Sequence, residues 1–221
     1  MTCIVALSDG EKVVVGCDTL AGQGDHSIEL PSKLVVGEYA IIGGCGHARI
    51  ITDLQKYFRF PVKREGGNLD DYVYSALIPA IKRFLEESNL LVGEDVEQKS
   101  VTHKETFYSK VRRKIFGGHK RTLNVEIKTP MYMAGNSQLL IASGSKIYVI
   151  NSDLTLTERV GGFESIGSGR AYALGSLLTS KQSDLEPEVR VKWALSCAAK
   201  FSQGCAAPFK YVSTEKEVKQ C

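Results

Sequence analysis

The stretch MTCIVALSDGEKVVVGCDT, residues 1–19, decides how this chain is read. Thr2 to Leu7 and Lys12 to Cys17 are two apolar runs rich in β-branched residues, separated by Ser8, Asp9, Gly10 and Glu11, a spacer suited to a hairpin. Both runs are apolar on consecutive positions, which predicts strands covered on two faces. Trimming of Met1 would leave Thr2 at the N-terminus, with a hydroxyl and a free amine on one residue.

Working outward, a third strand is predicted from Tyr39 to Ile42, running into the glycine cluster GGCG at Gly43 to Gly46. The period then changes. Ala48, Ile51, Leu54 and Phe58 recur at helical spacing, and so do Leu69, Tyr72, Val73, Leu77, Ile81, Phe84 and Leu85, with a kink expected at Pro79. Strands return from Met131 in MYMAG, QLLIAS, KIYVI and LTLTERV. IGSG at Ile166 to Gly169 leads into a helix from Arg170 to Thr179, and a last helix starts near Pro187, a favourable first-turn residue. A short strand near Phe209 to Val212 closes the order. Strands alternating with pairs of helices do not make a parallel βαβ sheet; they suit an α+β, four-layer αββα sandwich of two antiparallel sheets with helix pairs outside.

The 221 residues, 43% hydrophobic and 24% charged, are enough for one buried core, so 1–221 is read as one domain. An insert at about 86–128 breaks the rhythm: it begins acidic at Glu86 and Glu87 and turns basic through Lys110, Arg112, Arg113 and Lys114. Such a block reads as a solvated excursion, with a docking surface as the other reading. The net charge of +3 is too small to imply nucleic acid as a partner of the whole protein. Cys3, Cys17, Cys45, Cys197, Cys205 and Cys221 form no C-x-x-C pair, and the four histidines have no metal-ligand spacing, so neither a metal nor a cofactor is expected. No apolar run is long enough for a membrane span and no secretory leader opens the chain, so a cytoplasmic, reducing location is expected.

A threonine hydroxyl is a poor nucleophile near neutral pH and needs a base within reach; an α-amine, with a reference pKa of about 7.7–8.0, can be that base. Thr2 would carry both. A nearby cation would favour the ionised hydroxyl, and a carboxylate would keep that cation paired. Lys33, in LPSKLVV, and Asp18, at the end of VVVGCDT, are the candidates. Backbone N–H groups for a developing oxyanion could come from the glycine cluster.

The ordered set of Thr2 at the head, Gly16-x-Asp18, Lys33, a glycine cluster after a strand and a late GSG resembles the proteasome β-subunit family of N-terminal nucleophile hydrolases, its HslV-type peptidases above all. IGSGRAYALGSLL and the helix that follows are similar too, whereas the insert is not. The resemblance implies a threonine-type peptidase that acts on peptides or unfolded protein inside a homo-oligomeric ring, with an ATP-dependent unfoldase as a partner and no cofactor. It assigns Thr2 as nucleophile, Asp18 and Lys33 as its supporting pair, and Ser168 as the serine that binds the threonine amine. Gly46 matches the oxyanion donor, with Gly44 as the alternative. Gly44 and Cys45 would line a side-chain pocket with room for a bulky apolar group. One feature departs from the family: AAKFSQG puts Ala199 or Lys200 where many members place an aspartate ahead of a serine, here Ser202. The alternative is a non-catalytic shell or binding protein that retains Met1, in which the Thr2 nitrogen would be an amide.

Overall fold

Alternate residues of the first strand go to different layers. In β1, Cys3–Ser8, the side chains of Ile4 and Ala6 join one apolar layer, and those of Cys3, Val5 and Leu7 join another. This is the period-2 division of a strand covered on both sides, and it is why the run reads as continuously apolar. The structure, a computed structural model, describes residues 2–23, 26–93 and 131–214. Most of the insert, from residue 94 onward, lies outside the described residues.

β1 pairs with β2, Val13–Asp18, and on its other edge with β12, Phe163–Gly167; β2 in turn pairs with β13, Phe209–Ser213. The second sheet has the order β11-β10-β9-β6-β5, built from Leu156–Glu158, Lys146–Ile150, Gln138–Ser143, Ile41–Cys45 and Leu34–Val36. Every pairing in both sheets is antiparallel. Two small hairpins complete the strands: β3–β4, Leu20–Gln23 with His26–Glu29, and β7–β8, Leu91–Gly93 with Met131–Met133.

Three apolar layers hold the molecule together. Between the sheets, Ile4, Val15, Ile41, Leu140, Val149 and Ile166 interlock. On the outside of the second sheet, Ile42, Leu139 and Ile141 pack against Ile50 and Leu54 of α1, Ala48–Tyr57, and against Ile81 and Leu85 of α3, Ile78–Glu87. On the outside of the first, Val5, Leu7 and Val14 meet Leu177 of α4, Arg170–Thr179, and Val191 and Leu195 of α5, Pro187–Phe201. The result is the expected four-layer αββα sandwich. Gly16 sets the depth at which α5 sits on β2, because a Cβ there would meet Val191 and Leu195 side-chain atoms at 2.7 and 2.8 Å.

The helical run from Leu69 is not broken at Pro79. α2, Leu69–Tyr72, passes through a π-helical turn, Val73–Leu77, directly into α3, where Pro79 occupies the first turn. Proline has no N–H to give the preceding turn, and the wider i→i+5 pattern absorbs that missing bond without ending the helix. Two strand features depart from the sequence pattern: β12 lies where no strand is predicted, and β6 runs on through Gly43, Gly44 and Cys45, past the predicted strand end at Ile42.

Candidate active site

Strand register brings the head of β1 between two others. Cys3 stands opposite Gly167 of β12, and Ile4 opposite Cys17 of β2, so Thr2 lies beside Ser168 and close to Asp18. Asp18 holds the strand in place by accepting the Cys3 N–H at 2.8 Å. Lys33 enters from the turn before β5. Its ammonium donates to Thr2 Oγ1 at 3.0 Å, to both carboxylate oxygens of Asp18 at 2.9 Å, and to the Leu20 carbonyl at 2.5 Å. An ammonium has three protons, so the four acceptors imply a bond shared between the two Asp18 oxygens.

The group is nearly dry: Thr2 is 7% exposed, Lys33 2% and Asp18 0%. A lone charge at such a site would cost several kcal/mol, and the ion pair removes that penalty only while both members stay. The Lys33 charge beside Oγ1 also favours the ionised hydroxyl.

On the other side of Thr2, its nitrogen donates to Ser168 Oγ at 3.2 Å, while Ser168 Oγ–H and Gly169 N–H both reach the Thr2 carbonyl at 3.3 Å. Gly167 has φ +94°, and a Cβ on it would run into that same carbonyl. Gly167→Ala is therefore expected to cost about 1–3 kcal/mol through strain and displacement of Thr2. Thermal unfolding checks the loss; an unchanged midpoint would contradict this account of the turn.

A cavity of about 300 Å³ opens beside Thr2, lined by Cys45, Gly46, Asn136, Gln138, Gly167 and Ser168. Gly46 has φ +100°, and its missing Cβ leaves room for Ser137. Ser137 Oγ accepts the His47 N–H at 2.8 Å and donates to the Ala134 carbonyl at 2.5 Å, which clamps the turn after β6 against the turn before β9. Asn136, Ser137 and Gln138 are not among the sequence candidates; GN in MYMAGNSQ signals a turn, and nothing local says that the turn faces Thr2.

Of the sequence candidates, Thr2, Asp18, Lys33 and Ser168 come together as one hydrogen-bonded group, and Cys45 and Gly46 border the cavity. Gly44 does not. Period 2 along β6 turns it toward α1, where a Cβ would meet Ile51 and Leu139, and its N–H donates to the Lys33 carbonyl at 3.3 Å. Asn136 and Gln138 add two amide side chains to the cavity wall. Burial pushes the Cys45 thiol up, so it borders the cavity as a neutral group. At the end of α5, Ala199 packs on the apolar layer and Lys200 is exposed; neither position supplies a carboxylate. Among the described residues no cluster of His, Cys, Asp or Glu is arranged to hold a metal, and no helix is long and apolar enough to cross a membrane.

No family model and no curated protein matches the chain. Solved structures do. BPH from Thiobacillus denitrificans in complex with epoxomicin superimposes with a TM-score of 0.60 at 15% identity, over 96% of this chain and 97% of that one. Eukaryotic HslV from Trypanosoma brucei gives 0.59 at 15% identity, over 96% and 98%. This chain has the HslV fold. BPH without that ligand matches equally well, with a TM-score of 0.60 at 16% identity over 96% of each chain. The HslV fold accounts for the two sheets and both helix pairs at nearly full length, so the likeness extends well beyond the strands around Thr2.

Proposed function

We propose that the chain is a threonine-type peptidase whose nucleophile is Thr2, exposed by removal of Met1. The observation that carries this reading is the Lys33 ammonium, buried, paired with Asp18 and bonded to Thr2 Oγ1 at 3.0 Å. The freed amine takes the hydroxyl proton as Oγ1 attacks the scissile carbonyl carbon, and the Gly46 amide faces the developing oxyanion. Collapse breaks the C–N bond, the ammonium returns its proton to the leaving amine, and water then hydrolyses the ester on Thr2. Ser168 holds the amine in position, and Cys45 with Gln138 contacts the substrate side chain. The resemblance of the fold to HslV supports a peptide or unfolded-protein substrate and a homo-oligomeric ring fed by an ATP-driven unfoldase, with residues 1–221 as one unit that carries the insert.

The missing carboxylate at Ala199 and Lys200 favours a second reading, a shell protein that keeps Met1. Mass spectrometry of the N-terminal peptide, with and without epoxomicin, separates the two. The peptidase reading expects a peptide that starts at Thr2 and gains one equivalent of this epoxyketone. Quantitative retention of Met1, or no adduct on a peptide that starts at Thr2, would overturn it.

A further inference from the structure

Gly169 marks a second cluster directly behind Thr2. A Cβ on it would stand 2.8 Å from Cys205 Sγ and 2.8 Å from Cys3 Cβ, so only the absence of a side chain leaves the space in which these two cysteines approach each other. Cys3 follows Thr2 on β1 and points away from the cavity, into the layer under α4 and α5; Cys205 reaches the same layer from the turn after α5. Both side chains therefore border the one space over Gly169. Ser202 Oγ lies 3.8 Å from Cys205 Sγ, and Ser165 Oγ lies 3.7 Å from Cys3 Sγ. The other cysteines among the described residues lie elsewhere: Cys17 between the sheets, Cys45 at the cavity, Cys197 on the outer groove of α4 and α5.

The two thiols are unequal. The neighbouring Cys3 thiol is the first cause that holds the Cys205 thiol below its ordinary value, with Ser202 and Ser168 helping against burial and the Asp18 charge. The Cys3 thiol is pushed up by the same contact and by burial. Cys205 is 4% exposed and Cys3 0%, so Cys205 is the sulfur a small oxidant meets first and Cys3 is the resolving thiol.

We propose that Cys3 and Cys205 are a redox-active dithiol that closes to a disulfide behind Thr2 on exposure to hydrogen peroxide. The Cys205 thiolate attacks one peroxide oxygen, the O–O bond breaks, and the departing hydroxide takes up the thiol proton as water. The Cys3 sulfur then displaces hydroxide from the Cys205 sulfenic acid. The S–O bond breaks, the S–S bond forms, and the Cys3 proton completes a second water. Two thiols lose two electrons and two protons, and one peroxide becomes two waters. Closure brings the sulfurs to about 2.05 Å. The turn after α5 supplies the movement, because Cys3 is fixed by its ladder to Gly167 and by its N–H on Asp18. The disulfide ties that turn to the strand that carries Thr2. None of this requires Thr2 to be a nucleophile, so it stands or falls apart from the peptidase reading.

The test exposes the full-length protein to hydrogen peroxide, blocks remaining thiols with N-ethylmaleimide in denaturant, and maps tryptic peptides. The expected product joins the peptide ending at Lys12 to the peptide Phe201–Lys210, with Cys205 consumed about tenfold faster than Cys17. Cys3→Ser should leave Cys205 as a sulfenic acid that dimedone captures. Recovery of both Cys3 and Cys205 as maleimide adducts from treated wild-type protein, or a bond from Cys205 to any other cysteine, would overturn the proposal. The wild-type map decides even where the variant fails to fold.

Discussion

Thr2→Ala is expected to lower peptide hydrolysis by about 10⁴-fold or more and to abolish the epoxomicin adduct, while leaving the fold intact. The size follows from the chemistry: no acyl-enzyme can form without Oγ1, and what remains is the effect of binding and of the oxyanion donors alone. The small structural cost follows from the contacts. Lys33 keeps both Asp18 oxygens and the Leu20 carbonyl when Oγ1 is removed, and the Thr2 nitrogen and carbonyl keep Ser168 and Gly169. A stability change of about 1 kcal/mol or less is therefore expected. Thr2→Ser retains the hydroxyl and the amine and should keep measurable turnover. Initial rates on a fluorogenic peptide, read beside thermal unfolding, check both halves. A Thr2→Ala protein that hydrolyses at the wild-type rate would end the proposed mechanism.

The chain's own residue pattern carries much of this arrangement. The first hairpin is legible because both its strands are buried on both faces, which leaves only apolar residues along them before Ser8 and Asp18 at their ends. Helix α5 is legible from its apolar stripe and from Pro187, and α4 from the IGSG that leads into it. β12 is not, and the reason is Glu164: a glutamate within a five-residue segment reads as loop, yet here it is only 5% exposed and paired with Arg159 at 2.7 Å. Its partners, Arg159 and Arg170 at 3.4 Å, flank the strand on both sides, and strand periodicity alone does not pair them with Glu164. The same limit applies at the site. Thr2, Asp18 and Lys33 are found because each contributes a residue type that the chemistry requires, and Ser168 is found only through the family resemblance. Which glycine borders the cavity is a question of strand phase. Once Ile41 is known to face the other sheet, period 2 sends Gly43 and Cys45 the same way and Gly44 to α1. The sequence alone leaves that phase open. The wall at Asn136 to Gln138 comes from β9 pairing with β6, a contact between segments with no shared local signal.

The buried pair offers the sharpest separation of stability from chemistry. Lys33→Met leaves the Asp18 carboxylate at 0% exposure without its counter-charge, and a broken buried pair costs about 3–5 kcal/mol. Hydrolysis should fall about 10³-fold or more as well, because nothing then favours the ionised Thr2 hydroxyl. Those two losses could share one cause, a displaced β1. The double variant Asp18→Asn with Lys33→Met distinguishes them. It removes both charges, and the asparagine carbonyl can still accept the Cys3 N–H that Asp18 now holds at 2.8 Å. About half or more of the lost stability should return in denaturant unfolding, since a buried pair replaced as a pair carries no lone charge. Activity should not return, because the double variant restores the strand without restoring the cation beside Oγ1. If hydrolysis recovered in step with stability, Lys33 would be a structural residue only, and the base for Thr2 would have to act without it.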